Sequence, residues 1–107
     1  MTIYEVSIEI DAECAAAYRA WLATHVRELL ALPGFTSASV FEVEADEPEP
    51  ARCGLVVQYH LEHHVALQRY LREFAPAMRA KADEQFAGRY RASRRVLNPL
   101  CEILAAD

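Results

Sequence analysis

Residues and motifs that usually mark a function are scarce in this 107-residue sequence. It has only three glycines and contains no phosphate-binding loop, no GxGxxG pattern and no GxSxG pattern, which removes most nucleotide-dependent and hydrolytic functions. Its three cysteines are far apart and form no CxxC pair, so neither a disulfide framework nor a zinc knuckle is indicated. Reduced thiols in a cytoplasm are the simplest interpretation.

Excess positive charge and long apolar runs are also missing. The formal net charge is −5, which argues against a general binder of nucleic acid or of anionic membranes. No apolar run approaches the roughly 20 residues of a membrane span, and the alternating N-terminal segment does not resemble a signal peptide. At this length we expect one domain, 1–107, with one modest core in 1–97 and an additional tail in 98–107.

The most informative segment is AAAYRAWLATHVRELLAL, residues 15–32. On a helix with roughly 100° per residue, one face collects aromatic and aliphatic side chains and a single imidazole: Tyr18, Leu22, His25 and Leu29, with Trp21 on the flank. Asp11 is predicted to cap the N-terminus of this helix, and the Pro-Gly pair after it ends the helix. The pattern predicts a core helix with a histidine where a leucine would be usual.

Four other segments have the polarity pattern of strands. Alternation is clearest in residues 3–10 and 53–61, where every second side chain is apolar. Residues 35–44 and 89–97 form the other two predicted strands. In the first of these, three large apolar residues are predicted to share a face: Phe35, Phe41 and Val43. The acidic, proline-rich segment 45–51 is predicted to be a solvated hairpin loop.

A second helix is predicted after the third strand. Its apolar positions recur at helical spacing: Leu67, Leu71, Phe74 and Met78. Pro76 predicts a break after Ala75, followed by a further helical stretch to about Ala87. The tail has apolar residues on one helical face, but it is too short to be stable without docking.

The order strand, helix, strand, strand, helix, strand is the split βαβ pattern of ferredoxin-like α+β folds. It predicts a four-stranded antiparallel sheet in the order 4-1-3-2, with both helices on one face. The other, open face is half apolar through residues such as Val56 and Leu97. A second copy of the chain is the economical way to cover such a face.

Strands one and four are neighbours in that order, so opposite charges on them are expected to pair. The residues concerned are Glu5 and Glu9 on one strand and Arg91, Arg95 or Arg89 on the other. Cross-strand pairs of this kind stabilise a sheet by a few tenths to about 1 kcal/mol. Capture of an anion or ligand by the arginines is the alternative interpretation.

Any chemistry is to be sought first at His25. An imidazole among apolar side chains must find a hydrogen-bond partner or stay neutral, and burial lowers its pKa. Tyr18, Trp21 and Tyr59 would form the walls of a cleft between helix and sheet, in which His25 contacts a ligand or acts as a general base. The alternative is a structural histidine bonded to a backbone carbonyl or a tyrosine hydroxyl.

Three further histidines lie at the end of the third strand and the start of the second helix: His60, His63 and His64. Adjacent residues on a helix diverge by about 100°, and no carboxylate or cysteine completes a recognisable ligand set around them. We therefore predict surface residues here and no metal site.

Four segments resemble a bacterial protein family: IYEVSIEID, WLATHVRELLALPGF, VVQYHL and LQRYLREFAPAMR. The family is domain of unknown function 4286, which is similar to the dimeric α/β barrel proteins, and the resemblance covers about residues 1–97. Its most specific parts are the spacing of Trp21 and His25 and the run from Tyr70 to Pro76. It implies a homodimeric ferredoxin-like fold in which His25 is the family histidine, and it implies no established activity.

Related dimeric barrels include cofactor-free monooxygenases, haem-degrading enzymes and stress-response proteins, which bind ligands between helices and sheet. We therefore expect a small homodimer that binds an apolar or aromatic small molecule without a cofactor. The second hypothesis is a cofactor-independent monooxygenase or isomerase-like enzyme with His25 as the base. The third is a protein-interaction module that uses the acidic loop or the tail. Haem degradation in such a fold would need an asparagine or a similar polar group beside the histidine. The only asparagine, Asn98, follows the fourth strand, so haem degradation is not expected.

Overall fold

A computed structural model describes residues 1–44 and 51–106 of the chain. In that part, strands and helices follow in the order β1 Thr2–Asp11, α1 Ala15–Leu30, β2 Phe35–Glu42, β3 Arg52–Leu61, α2 His64–Glu73, α3 Ala75–Phe86 and β4 Tyr90–Leu97. The strands form one antiparallel sheet in the order β2-β3-β1-β4. The predicted ferredoxin-like arrangement is confirmed. All of the predicted hairpin loop except Ala51 lies outside the described residues.

Alternating side chains give the sheet two different faces. On β3, every second residue is buried against the helices: Leu55, Val57, Tyr59 and Leu61. The residues between them, Val56, Gln58 and His60, are only half-buried. We call the face that contains the first set the helix-covered face and the face that contains the second set the open face. This division is the one that the sequence predicts for β3.

The start of α1 differs from the prediction that Asp11 caps it. Asp11 is the last residue of β1, where it pairs with Arg52 of β3, and its side chain makes no capping hydrogen bond. A 3₁₀ turn, Ala12–Cys14, then precedes the helix. The N-cap prediction is wrong because the β1 ladder continues through the aspartate.

The buried stripe of α1 also differs by one position from the predicted face. Its buried residues are Tyr18, Leu22, Val26 and Leu29, whereas His25 is half-buried. Val26 therefore occupies the core position that the helical wheel assigned to the histidine. His25 lies at the edge of the buried stripe, where polar atoms can reach a cavity instead of being sealed in the core.

A β-bulge changes the phase of β2. Phe35 pairs with Leu61, but the next ladder pair is Ser37 with His60, so one residue is inserted between them. Phe35 consequently lies on the helix-covered face, where its ring contacts Tyr59 and Tyr70. Phe41 pairs with Val56 and lies on the open face. The prediction that both phenylalanines share a face is wrong, because a bulge reverses the alternation beyond it.

The second helical region is divided at Phe74. The break lies one residue earlier than predicted, and Pro76 falls in the first turn of α3, where its missing N–H leaves no hydrogen bond unmade. The buried residues of α2 are Ala66, Leu67 and Tyr70. Leu71, predicted to lie on the core face, is exposed.

The predicted charge pairs between β1 and β4 are present on the open face. Glu5 pairs with Arg95 in the ladder and Glu9 pairs with Arg91, and both pairs form ion pairs. Glu5 is almost completely buried. Hydrogen bonds from Arg95 and Gln58 lower the pKa of its carboxyl group, since both stabilise the charged form.

Glu5 should make the protein acid-sensitive. Its pKa is lower in the folded than in the unfolded chain, so its contribution is present above about pH 4.5 and is lost as the pH falls through the folded pKa. Arg95→Gln removes the strongest cause of that difference and should flatten the loss of unfolding free energy between about pH 5 and pH 3, measured by urea denaturation. Arg91→Gln is the matched control and should retain the loss, because its partner is the exposed Glu9.

The described part of the tail that follows β4, residues 98–106, has no regular secondary structure. Its apolar residues Leu100, Ile103 and Leu104 are 96%, 89% and 79% exposed. The helical face that they would form is therefore not docked on residues 1–44 or 51–97.

Among the helices described above, none combines the length and the apolar character that a membrane crossing requires.

Candidate functional site

A small cavity lies between α1, α3 and the helix-covered face of the sheet. All four residues predicted to form the cleft line it: Tyr18, Trp21, His25 and Tyr59. The first three come from successive turns of α1, and β3 supplies Tyr59 from the opposite wall. Its volume is about 50 Å³, which holds a few water molecules. The fold thus brings the predicted residues together, while their roles in binding stay predictions.

His25 and Trp21 form one wall of the cavity. The imidazole stacks on the indole with 4.4 Å between the ring centroids and 18° between the planes. The two residues are four positions apart, which is the spacing at which side chains meet on one side of a helix. Trp21 also contacts Tyr18 and Phe86, with centroids 5.5 and 5.7 Å away. This packing fixes the plane of the imidazole.

The Nδ1 atom of His25 is buried and lacks a hydrogen-bond partner among the described residues. Burial lowers the pKa of the imidazole, while Glu28 raises it and Lys81 lowers it. Because Glu28 and Lys81 form an ion pair with each other, their opposing effects on the histidine are coupled. His25 is therefore neutral near pH 7, with a buried nitrogen whose hydrogen-bonding capacity is not used by the described residues.

The tyrosines around the cavity stay protonated well above neutral pH. Burial raises the pKa of Tyr18 and of Tyr59, and it raises the pKa of Tyr70 to about 12. Their hydroxyl groups can donate and accept hydrogen bonds, but they do not act as bases near pH 7. Of the four predicted residues, His25 is thus the one suited to accept a proton.

Sequence patterns did not single out two arginines that also line the cavity, Arg79 on α3 and Arg94 on β4. Arg94 pairs with Val6 in the β1–β4 ladder and is therefore on the helix-covered face. The available signal was the alternation along β4, because the consecutive residues Arg94 and Arg95 must point to opposite faces. The charge pairs predicted from the sequence involved Arg89, Arg91 and Arg95 and did not include Arg94.

Because the Nδ1 atom of His25 has no hydrogen-bond partner among the described residues, replacing His25 is expected to affect the free energy of unfolding in an unusual way. His25→Phe keeps a ring against Trp21 and removes a buried polar atom that has no partner, so the free energy of unfolding near pH 7 should stay the same or rise by up to about 1 kcal/mol. The pKa of His25 is lower in the folded chain than the unfolded value of 6.5, so the wild type should lose stability as the pH falls below about 6.5. His25→Phe should remove that loss.

His64→Phe provides the control, because His64 is exposed at the start of α2 and its replacement should leave the acid sensitivity in place. Urea denaturation at pH values from about 7 to about 5 measures both variants. A loss of about 1 to 3 kcal/mol in His25→Phe at pH 7 would instead indicate a structural histidine with a satisfied hydrogen bond.

The three other histidines lie away from the cavity, and two of them have local contacts. His63 caps α2, where its Nδ1 accepts a hydrogen bond of 3.2 Å from the N–H of Ala66. The Nδ1 of His60 lies 3.3 Å from the Sδ of Met1. In residues 1–44 and 51–106, no three His, Cys, Asp or Glu side chains are placed to hold a metal ion.

An antiparallel β2-β3-β1-β4 sheet with all its helices on one face and a cavity beneath them defines a ferredoxin-like α+β protein. The chain matches the family described as Domain of unknown function (DUF4286) over residues 1–100 and belongs to that family. No curated protein matches it.

Solved structures of other proteins share the fold at low sequence identity. SnoaB, a cofactor-independent oxygenase from Streptomyces nogalater, is 14% identical with a TM-score of 0.67, over 95% of this chain and 96% of SnoaB. The heme-degrader MhuD from Mycobacterium tuberculosis, solved with two hemes in its active site, is 18% identical with a TM-score of 0.66, over 96% of this chain and 99% of MhuD. HapK from Hahella chejuensis is 15% identical with a TM-score of 0.67, over the full length of both chains.

Proposed function

We propose that this protein is a cytoplasmic homodimer that binds an aromatic or apolar small molecule in the cavity between α1, α3 and the sheet. Two observations carry the proposal: His25 lines a cavity together with Tyr18, Trp21 and Tyr59, and its buried Nδ1 has no hydrogen-bond partner in the described part of the chain. A buried polar atom without a partner costs stability, and a ligand that bonds to it would offset that cost. The three unpaired cysteines fit a reducing compartment.

Ring-sized ligands require the cavity to widen. Its volume of about 50 Å³ is well below the roughly 300 Å³ of a small ligand site. A surface depression of about 320 Å³ adjoins it and shares Arg79, Tyr90, Ala92 and Arg94 with its lining. Movement of the arginines, which are exposed, and of the adaptable Met78 side chain would join the two spaces.

A calorimetric titration with 2-naphthol tests the proposal. Trp21 is the only tryptophan in the chain and lines the cavity, so its fluorescence should change as the heat of binding develops. Ala82→Leu should fill the cavity and abolish both signals, because Ala82 is buried in its lining. Ala80→Leu on the exposed side of α3 should leave both signals unchanged. A wild type that neither binds nor changes its emission would contradict the proposal.

The second candidate is a cofactor-independent oxygenase or isomerase-like enzyme with His25 as the base. The observation that favours it is again the neutral imidazole, whose lowered pKa leaves it able to accept a proton near pH 7. SnoaB, a cofactor-independent oxygenase, has the same fold. For a substrate that is turned over, His25→Ala should lose turnover while the protein stays folded. Unchanged turnover would exclude His25 as the base.

The proposed dimer uses the open face of the sheet. Phe41 and Val43 are 48% and 47% exposed there, beside a groove of about 600 Å³ that includes Val56. Such a face is stabilised when a second copy covers it. Sedimentation at micromolar concentration should give a dimer, and Phe41→Glu should give a monomer. Val65→Glu is the control, because Val65 is also apolar and exposed but lies on α2. A monomeric wild type would refute the dimer.

A further inference from the structure

Arg94 differs from the two neighbouring arginines of its strand. Arg91 and Arg95 lie on the open face and form ion pairs with Glu9 and Glu5. Arg94 lies on the helix-covered face, opposite Val6, and forms neither an ion pair nor a side-chain hydrogen bond with any described residue. Arg94 is exposed to solvent and lines the cavity, so an anion can reach its guanidinium group without displacing a carboxylate of the described residues.

Four tyrosines line the same cavity as Arg94: Tyr18, Tyr59, Tyr70 and Tyr90. They belong to α1, β3, α2 and β4. The positive charge of Arg94 opposes the rise that burial causes in the pKa of each of them. An aromatic ring bound among these tyrosines would therefore lie beside a guanidinium group that is open to solvent.

Arg79 supplies a second guanidinium group at the same place. It reaches the hydroxyl of Tyr4, to which it donates a hydrogen bond of 3.3 Å, and like Arg94 it forms no ion pair in residues 1–44 and 51–106. Both arginines line the cavity and the adjoining surface depression. The depression also contains Asp83, whose Oδ1 accepts a hydrogen bond from the hydroxyl of Tyr90. Two guanidinium groups and one carboxylate leave a net charge of about +1, which matches a monoanion.

We infer that the small molecule bound in the cavity is an aromatic carboxylate, whose ring lies among the tyrosines and Trp21 and whose carboxylate is held in the depression by Arg94 and Arg79. Arginine is suited to this role because its planar fork binds both oxygens of a carboxylate. The inference rests on the proposed small-molecule binding and adds the charge and chemical class of the ligand.

Two ligands of similar shape but different charge test whether the site prefers a carboxylate. 2-Naphthoate and its neutral amide, 2-naphthamide, have the same ring system, and calorimetry gives the affinity of the protein for each. The wild type should bind the carboxylate about ten- to a hundredfold more tightly, since hydrogen bonds between charged groups are the stronger ones. Added salt should reduce this preference, because the arginines are partly in water.

Arg94→Gln should lower the affinity for naphthoate to that for naphthamide and leave the affinity for naphthamide unchanged. Arg91→Gln carries the same change on the opposite face of the same strand and should retain the wild-type preference. The comparison of the two probes on the wild type needs no variant, so it decides the question even if a variant folds poorly.

The outcomes separate this inference from the proposed function. Equal affinity of the wild type for both probes would overturn the carboxylate assignment and leave small-molecule binding in place. An equal loss of affinity for both probes in Arg94→Gln would also overturn the assignment, because it would indicate that Arg94 has a structural role. Binding of neither probe would overturn the carboxylate assignment, and a wild type that also fails to bind 2-naphthol would overturn the proposed function.

Discussion

Gly34→Ala is expected to destabilise the protein by about 2 to 5 kcal/mol. Gly34 has a φ of +84°, where an alanine costs about 1 to 2 kcal/mol. A Cβ atom there would also overlap the Cβ of Ala66 in the first turn of α2, at a separation that real side chains do not show. Such overpacking adds about 1 to 3 kcal/mol. The midpoint of thermal unfolding should fall by about 10 °C or more.

Gly88→Ala separates the two causes. Gly88 has a φ of +78°, and an added Cβ would meet no atom within 4 Å, so this variant should show the backbone cost alone. Ala66→Gly, introduced into the Gly34→Ala protein, should recover part of the lost stability because it removes the overlapping atom. If Gly34→Ala and Gly88→Ala are equally stable, the close approach between the α1–β2 turn and α2 is refuted.

Leu67→Ala should cost about 2 to 5 kcal/mol, because Leu67 is completely buried beneath α2 and its truncation leaves a cavity in addition to the lost burial. Chemical denaturation at neutral pH measures the change. This loss is a large fraction of the roughly 5 to 15 kcal/mol that stabilises a small protein.

Leu71→Ala provides the matched control one turn further along the same helix. Leu71 is 38% exposed, so the same truncation should cost less than about 1 kcal/mol. The hydrophobic spacing of α2 had predicted that both leucines face the core. Equal losses for the two variants would support that predicted face and would contradict the orientation of α2 in the structure.

The strand order could be predicted because it follows from the order of strands and helices along the chain and from right-handed crossovers. The faces of β1 and β3 could be predicted because the period of two is unbroken in their sequences. β2 could not be predicted in the same way. Its bulge between Phe35 and Ser37 inserts one residue, and no glycine or proline in FTSASVFE marks the position. A bulge is selected by how the strand fits its neighbour, which is a property of the assembled sheet.

The residues of the candidate site could be predicted from the sequence, but the extent to which each is buried could not. A helical wheel places His25 and Val26 on either side of the same face, and the rotation of α1 on the sheet decides which of them is buried. The sheet buries Val26 and leaves His25 at the cavity. Arg79 was beyond sequence reasoning, because its place beside Arg94 depends on how α3 packs across the strands.

The two edges of the sheet differ in their protection against aggregation. β4 forms one edge and carries Arg91, Arg94 and Arg95 within eight residues, and positive charges on an edge strand oppose the addition of a foreign strand. β2 forms the other edge and has no positively charged residue. Its bulge disturbs only its first residues, so the regular ladder from Ser37 to Glu42 remains a template for an additional strand. Misassembly into extended sheets should therefore begin at β2.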